Sequence, residues 1–166
     1  ALITGASKGI GKAIAESMAN EGCNLILTAR SSDKLNELKI NLQKKHNISV
    51  KIIAIDLAKK NAVEEVSEFC GDIDILINNA GAIPPGNISD IEEDTWRNAW
   101  DLKVFGYINL TRQIYNKMKN IKKGVILNII GSAGQKPMYN YIAGTTANAG
   151  LMAFTKALSN GSTANG

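Results

Sequence analysis

The stretch TGASKGIG at residues 4–11 narrows what this chain can fold into more than any other. It follows the apolar Ala1-Leu2-Ile3 and leads into a helical pattern, so it reads as a strand end, a glycine turn and a helix start. Gly5, Gly9 and Gly11 keep side chains out of the bend. They let a pyrophosphate approach the main chain, where the amides and dipole of a helix N-terminus favour an anion. The spacing is GxxxGxG rather than the GxGxxG of the commoner dinucleotide fingerprint. Alone, such a stretch reads equally well as a glycine-rich turn with no ligand, and the decision falls to its context.

That context is an alternation of strand and helix patterns. Ile10, Ala13, Ile14, Ser17 and Met18 recur at helical spacing, and Gly22 closes that helix. A short apolar strand is expected over 24–29, then N-cap candidates Ser31, Ser32 and Asp33, then a polar helix with Leu35, Leu38 and Leu42 on one face. Strands follow over 49–55, 73–77 and 124–130, the second of them nearly all apolar, as in a sheet covered on both faces. Helices are expected over 62–69, with Val63, Val66 and Phe69 inward, over 92–120, carrying Trp96, Trp100, Val104 and Ile108, and over 140–159. Pro84-Pro85-Gly86 breaks the loop at 78–87, and 159–166 reads as a connection. This order predicts an α/β protein with a doubly wound parallel sheet and right-handed crossovers. Ligands in such sheets sit beyond the carboxyl ends of the strands. The glycine turn, Arg30, Asp56, Asn79 and Ser132 all fall at that edge.

The totals remove several alternatives. One domain with a real core fits 166 residues. The net charge is +4, but Lys and Arg are scattered, so the pattern reads as solvated faces and not as a nucleic-acid footprint. Cys23 and Cys70 form no CxxC, which points to a reducing, cytoplasmic setting. His46 is the single histidine, so neither a histidine-based metal site nor a Ser-His-Asp triad is expected. No apolar run approaches a membrane span and no signal peptide is read. Both ends read as cut, since the chain opens inside a strand without a Met.

The sequence resembles the short-chain dehydrogenase/reductase family along essentially all 166 residues. TGASKGIG is similar to its TGxxxGIG, Asp56-Leu57 to its adenine-flanking acidic–apolar pair, Asn78-Asn79-Ala80-Gly81 to its NNAG, and LMAFTKALS at 151–159 to its final helix. The resemblance implies a single NAD(P)-binding Rossmann-type domain with strand order 3-2-1-4-5, the family's last strands and substrate lid lying outside this chain. It implies cofactor contacts at Thr4, Gly5, Ser7, Lys8, Gly9, Ile10, Gly11, Arg30, Asp56, Leu57, Asn79, Ala80, Gly81 and Asn148. It also implies a homodimer or homotetramer paired through the helices at 92–120 and 140–158. An acid ending the second strand would select NAD. Here Ala29 is followed by Arg30, with Lys8 in the glycine turn, and two cations without an acid favour the 2′-phosphate of NADP.

The catalytic positions depart from the family. Its members use Asn, Ser, Tyr and Lys, the last two as Tyr-x-x-x-Lys on one helix face. Ungapped comparison places the Tyr at Gly144, the Lys at Asn148, the Ser at Gly131 and the Asn at Lys103. Three neighbours are the replacements to expect: Tyr141 as proton donor, Lys103 as the charge beside it, and Ser132 as the oxyanion partner. Asn148 is left to hydrogen-bond the nicotinamide ribose. The expectation is an NADP-dependent oxidoreductase acting on an alcohol or carbonyl through a non-standard site. The alternatives are a dinucleotide-binding sensor or subunit without redox chemistry and, with no positive support, a lyase or isomerase.

Overall fold

A computed structural model describes all 166 residues. Five parallel strands form one sheet in the order β3-β2-β1-β4-β5, as the resemblance implies. They are β1 (Leu2–Thr4), β2 (Leu25–Ala29), β3 (Val50–Ala54), β4 (Ile75–Asn78) and β5 (Val125–Asn128). Register is set by Leu2 opposite both Ile26 and Leu76, and Ile3 opposite both Leu27 and Ile77. Side chains alternate across a strand, so Leu2 and Ile3, both fully buried, feed opposite layers. Ile3, Leu25, Leu27 and Ile77 pack under α1 (Gly9–Asn20) and α2 (Ser32–Lys45). Leu2, Ile26 and Leu76 pack under α3 (Ala62–Cys70) and α5 (Gly106–Ile121). Each such Leu or Ile contributes about 1.5–3 kcal/mol relative to exposure.

The amphipathic faces read from the sequence are those buried in α2, where Leu35, Leu38 and Leu42 meet the sheet. In α3 the inward residues are Val63, Val66 and Cys70, while Phe69 is exposed, contrary to expectation. Residues 63, 66 and 70 share a helical face, and 69 lies about 100° round from 70. The tail at 159–166 is not an irregular connection. Helix α6 (Ile142–Ser162) continues through it and ends in a 3₁₀ turn over Thr163–Asn165.

The helix expected over 92–120 is interrupted. It begins as α4 (Glu93–Trp100), widens into a π-turn over Asp101–Phe105, and continues as α5. The Gly106 amide there donates to the Asp101 carbonyl five residues back. Such insertions concentrate at functional sites, and this one carries Lys103.

Candidate functional site

A cleft of about 610 Å³ opens at the carboxyl edge of the sheet, lined from β1, β2, β3 and β4. Its floor is the glycine turn. Gly5 has φ +66°, a conformation side chains resist, and a Cβ on it would stand 2.9 Å from the Ala80 Cα. A Cβ on Gly11 would collide with the Gly5 carbonyl and the Asn79 amide. So Gly5 and Gly11 are needed for the turn to close on the β4 loop, while Gly9 faces open space.

The first main-chain bond of α1 runs from the Lys12 amide to the Lys8 carbonyl, so Gly9 and Ile10 enter the helix with no carbonyl partner. Those amides, the dipole behind them and the Lys8 ammonium converge on the cleft wall. At the end of β2, Arg30 and Ser31 line the cleft together with Lys34 from the first turn of α2. Lys34 was not foreseen from the sequence, although its spacing of four from Arg30 was visible. Thr28 adds a hydroxyl oxygen that is buried in the cleft wall without a hydrogen-bond partner. A glycine cradle, unpaired amides, three cations and an orphaned hydroxyl fit a ligand carrying several phosphates.

Ten of the expected cofactor contacts besides Gly5 line this cleft or shape it directly. Ser7, Lys8, Gly9, Ile10, Arg30, Asp56, Leu57, Asn79, Ala80 and Gly81 are all in its wall. Asp56 also accepts a hydrogen bond from the Ala58 amide, which fixes the turn after β3. Thr4 is buried behind the wall as a clamp: its hydroxyl oxygen accepts from the Asn79 amide at 2.8 Å and the Ala80 amide at 2.9 Å. The Asn79 side-chain amide donates in turn to the carbonyls of Thr4 and Gly5. Asn79 thereby holds the glycine turn against the β4 loop.

Asn148 is placed differently from expectation. It is 2% exposed and outside the cleft wall. Its Oδ1 accepts from the Gly131 amide at 2.9 Å, and its Nδ2 donates to the Gly144 carbonyl at 2.7 Å. A Cβ on Gly131 would stand 3.1 Å from that Nδ2. The carboxamide therefore occupies the space of a side chain at 131 and braces the turn after β5 against α6, instead of reaching for a ribose.

The three expected catalytic residues are not joined to one another by any hydrogen bond. Ser132 is exposed and opens a 3₁₀ turn, Ser132–Gly134. Tyr141 precedes α6, packed at the edge of an apolar cluster of Ile83, Ala99, Ala143 and Ala147 with Trp96, Trp100 and Val104. Its ring lies over Gly144, where any Cβ would collide with it. The β4 loop holds it there: the Gly86 amide donates to the Asn140 carbonyl at 2.7 Å, and the Ile142 amide donates to the Gly86 carbonyl at 3.1 Å. Trp100 adds a bond from Nε1 to the Ala143 carbonyl, and stacks on Trp96 at a tilt with centroids 6.1 Å apart.

Lys103 runs a different course. Its stem lies on Gly81, the Cγ 2.9 Å from where a Cβ would be. Its Nζ donates to the Ile129 carbonyl at 3.3 Å and sits 5.1 Å from the centroid of the Tyr107 ring. The buried Tyr107 hydroxyl donates to the same carbonyl at 3.1 Å. Burial pushes the Lys103 ammonium below the ordinary lysine range and the Tyr107 phenol above its own. The pairing of Lys103 with Tyr107 was also missed, although their spacing of four was in plain view.

A parallel α/β sheet with a glycine cradle and cationic rim at its carboxyl edge defines a dinucleotide-binding protein of the Rossmann class. Within that class the chain belongs to the short chain dehydrogenase family, whose model matches residues 1–166. The uncharacterized oxidoreductase YvaG of Bacillus subtilis is 33% identical over 138 residues, covering 82% of this chain and 52% of that protein. The 3-oxoacyl-(acyl-carrier-protein) reductase FabG of Staphylococcus epidermidis is 33% identical over 164 residues, 94% of this chain and 66% of its own. L-Sorbose reductase of Gluconobacter frateurii, solved with NADPH and L-sorbose, superposes with TM-score 0.94 at 32% identity over 99% of this chain and 64% of that one. The chain thus spans between half and two thirds of the length of these relatives.

Proposed function

We propose that this chain is the cofactor-binding part of an NADP-dependent oxidoreductase that moves a hydride between the nicotinamide and an alcohol or carbonyl. The observation that carries this reading is the rim of Lys8, Arg30 and Lys34 around the glycine cradle, with no carboxylate directly after β2. The amides of Gly9 and Ile10 and the Lys8 ammonium would hold the diphosphate. Arg30, Ser31 and Lys34 would take the 2′-phosphate, and Asp56 and Leu57 would flank the adenine. NADPH, when bound, supplies the hydride. The NADPH bound in the related L-sorbose reductase supports the same choice.

A second reading, binding without redox chemistry, draws on Gly131, Gly144 and Asn148, which lack the groups the family resemblance leads one to expect there. Titration of the full-length protein by cofactor fluorescence tests the cofactor assignment. NADPH should bind at least about tenfold more tightly than NADH, because charge-assisted contacts are worth about 1.5–3 kcal/mol each. Arg30→Ala with Lys34→Ala should weaken NADPH by about 10–100-fold and leave NADH nearly unchanged. Equal affinities in the parent would sink the NADP assignment. Oxidation of bound NADPH by a ketone panel would then separate the enzyme from the binder.

A further inference from the structure

We infer that Lys103 is the acid–base residue of this site, giving the proton to the substrate oxygen from the π-turn and not from α6. The inference rests on the proposed oxidoreductase reading and assigns its proton.

Four observations converge on Lys103. The α6 position that the resemblance gives to a lysine holds Asn148, whose two polar atoms are both committed to Gly131 and Gly144. The α6 position it gives to a tyrosine is Gly144, covered by the end of the Tyr141 ring. Lys103, by contrast, lies just behind the cleft wall, its stem laid on the wall residue Gly81, and its Nζ ends beside Ile129, where β5 leaves the sheet. Its Nζ has three N–H donors, one hydrogen bond to protein and no ion pair. A partly buried ammonium with two donors free is built to meet an acceptor.

The π-turn explains how the residue gets there. The wider turn over Asp101–Phe105 changes the rotation of the residues it contains relative to α4. The Tyr107 ring faces Nζ, its hydroxyl engaged with Ile129, and no charged group shifts the ammonium. Asp101, at the head of the same turn, is exposed and forms no ion pair with it. The β4 loop and β5 bring Gly81 and Ile129 against the side chain, neither of them titratable. The medium, not a charge partner, therefore governs this ammonium, and burial lowers its proton affinity.

The step is a proton transfer. The N–H bond breaks, an O–H bond forms on the substrate oxygen, and the electron pair stays on nitrogen. The carbonyl carbon receives its hydride from the reduced nicotinamide, and water returns the proton to the amine.

The test uses the full-length protein. Cofactor fluorescence first measures NADPH binding. Acetic anhydride labelling across a pH series then reads each lysine by mass spectrometry, with and without NADPH. Lys103 should acylate at lower pH than the surface lysines, and NADPH should slow it at least about tenfold. With acetoacetyl-CoA or another ketone as acceptor, Lys103→Met and Lys103→Arg should both lose at least about 100-fold in turnover, the scale of general acid catalysis, with NADPH affinity held within about threefold. The guanidinium keeps the charge but does not release a proton. Acylation indifferent to NADPH overturns the assignment, as does an active Lys103→Met or rescue by Lys103→Arg. Failure to bind NADPH overturns the cofactor reading and this inference with it; binding without protection overturns this inference alone.

Discussion

At the scale of single residues, Lys103 and Asn148 make opposite predictions about stability. The Lys103 ammonium is disfavoured by burial, so its folded pKa lies below its unfolded value. The unfolded chain then binds more protons in the window between them, and stability rises with pH there. Lys103→Met should raise the melting temperature at neutral pH. That gain should shrink as pH rises towards the ordinary lysine range, because the folded lysine sheds its charge first, and it should level off once the unfolded lysine is neutral too. A melting series from pH 7 to about 10 reads this directly. A variant that is more stable yet less active is the mark of a group kept for function. Asn148→Leu should do the reverse. It strands the Gly131 amide and leaves the Gly144 carbonyl to its helical role, at about 1–3 kcal/mol. A domain of this size should melt roughly 2–4 °C lower for each kcal/mol lost. No fall in melting temperature would mean that the brace is not what holds the turn after β5.

At the scale of elements, the order of strands and helices was readable because each pattern has one structural outcome. The Leu35-Leu38-Leu42 stripe can only face a sheet, and the apolar run before Asn78 suits only a strand covered on both sides. The π-turn was less legible. Trp96, Trp100, Val104 and Ile108 are spaced by four, and such a row drifts about 40° per step on an ideal helix. A wider turn absorbs that drift, so the spacing was itself the missed signal. The glycine cradle was legible because glycines have few other reasons to cluster at a strand end. The rest of the site was not, because the places of Gly131 and Gly144 are filled by Asn148 and Tyr141 from elsewhere in the chain. Register names a vacated position and says nothing about what fills it. One element-level consequence is testable at Thr4, whose single hydroxyl joins β1 to the β4 loop by accepting from two amides. Thr4→Val keeps the shape and removes both bonds, so it should cost about 1–3 kcal/mol. NADPH binding should weaken with it, since Asn79, Ala80 and Gly81 line the cleft. A variant that melts earlier but binds NADPH as before would separate the clamp from the site.

At the scale of the whole molecule, the two helical layers do not cover the sheet evenly. Helices α1 and α2 shield β1, β2 and β3, while β5 forms an edge whose Val125 and Leu127 remain 51% and 47% exposed. They lie on one face, two residues apart, beside a row of main-chain groups with no neighbouring strand. An apolar edge strand is a template for pairing with another chain. The Trp96–Trp100 stripe is less available, because both rings pack against the cluster at the start of α6 and Trp100 is bonded to Ala143. The 166-residue chain by itself should therefore self-associate through β5 before it does so through α4. Val125→Lys with Leu127→Lys should weaken that association by at least about tenfold, since burying one such side chain is worth about 1.5–3 kcal/mol. The substitutions sit on the face turned away from α5, so the melting temperature of the monomer should hold. Light scattering across a concentration series distinguishes the cases. A chain that stays monomeric, or one whose association survives both lysines and yields instead to Phe105→Lys, would move the contact from the sheet edge to the exposed side of the π-turn.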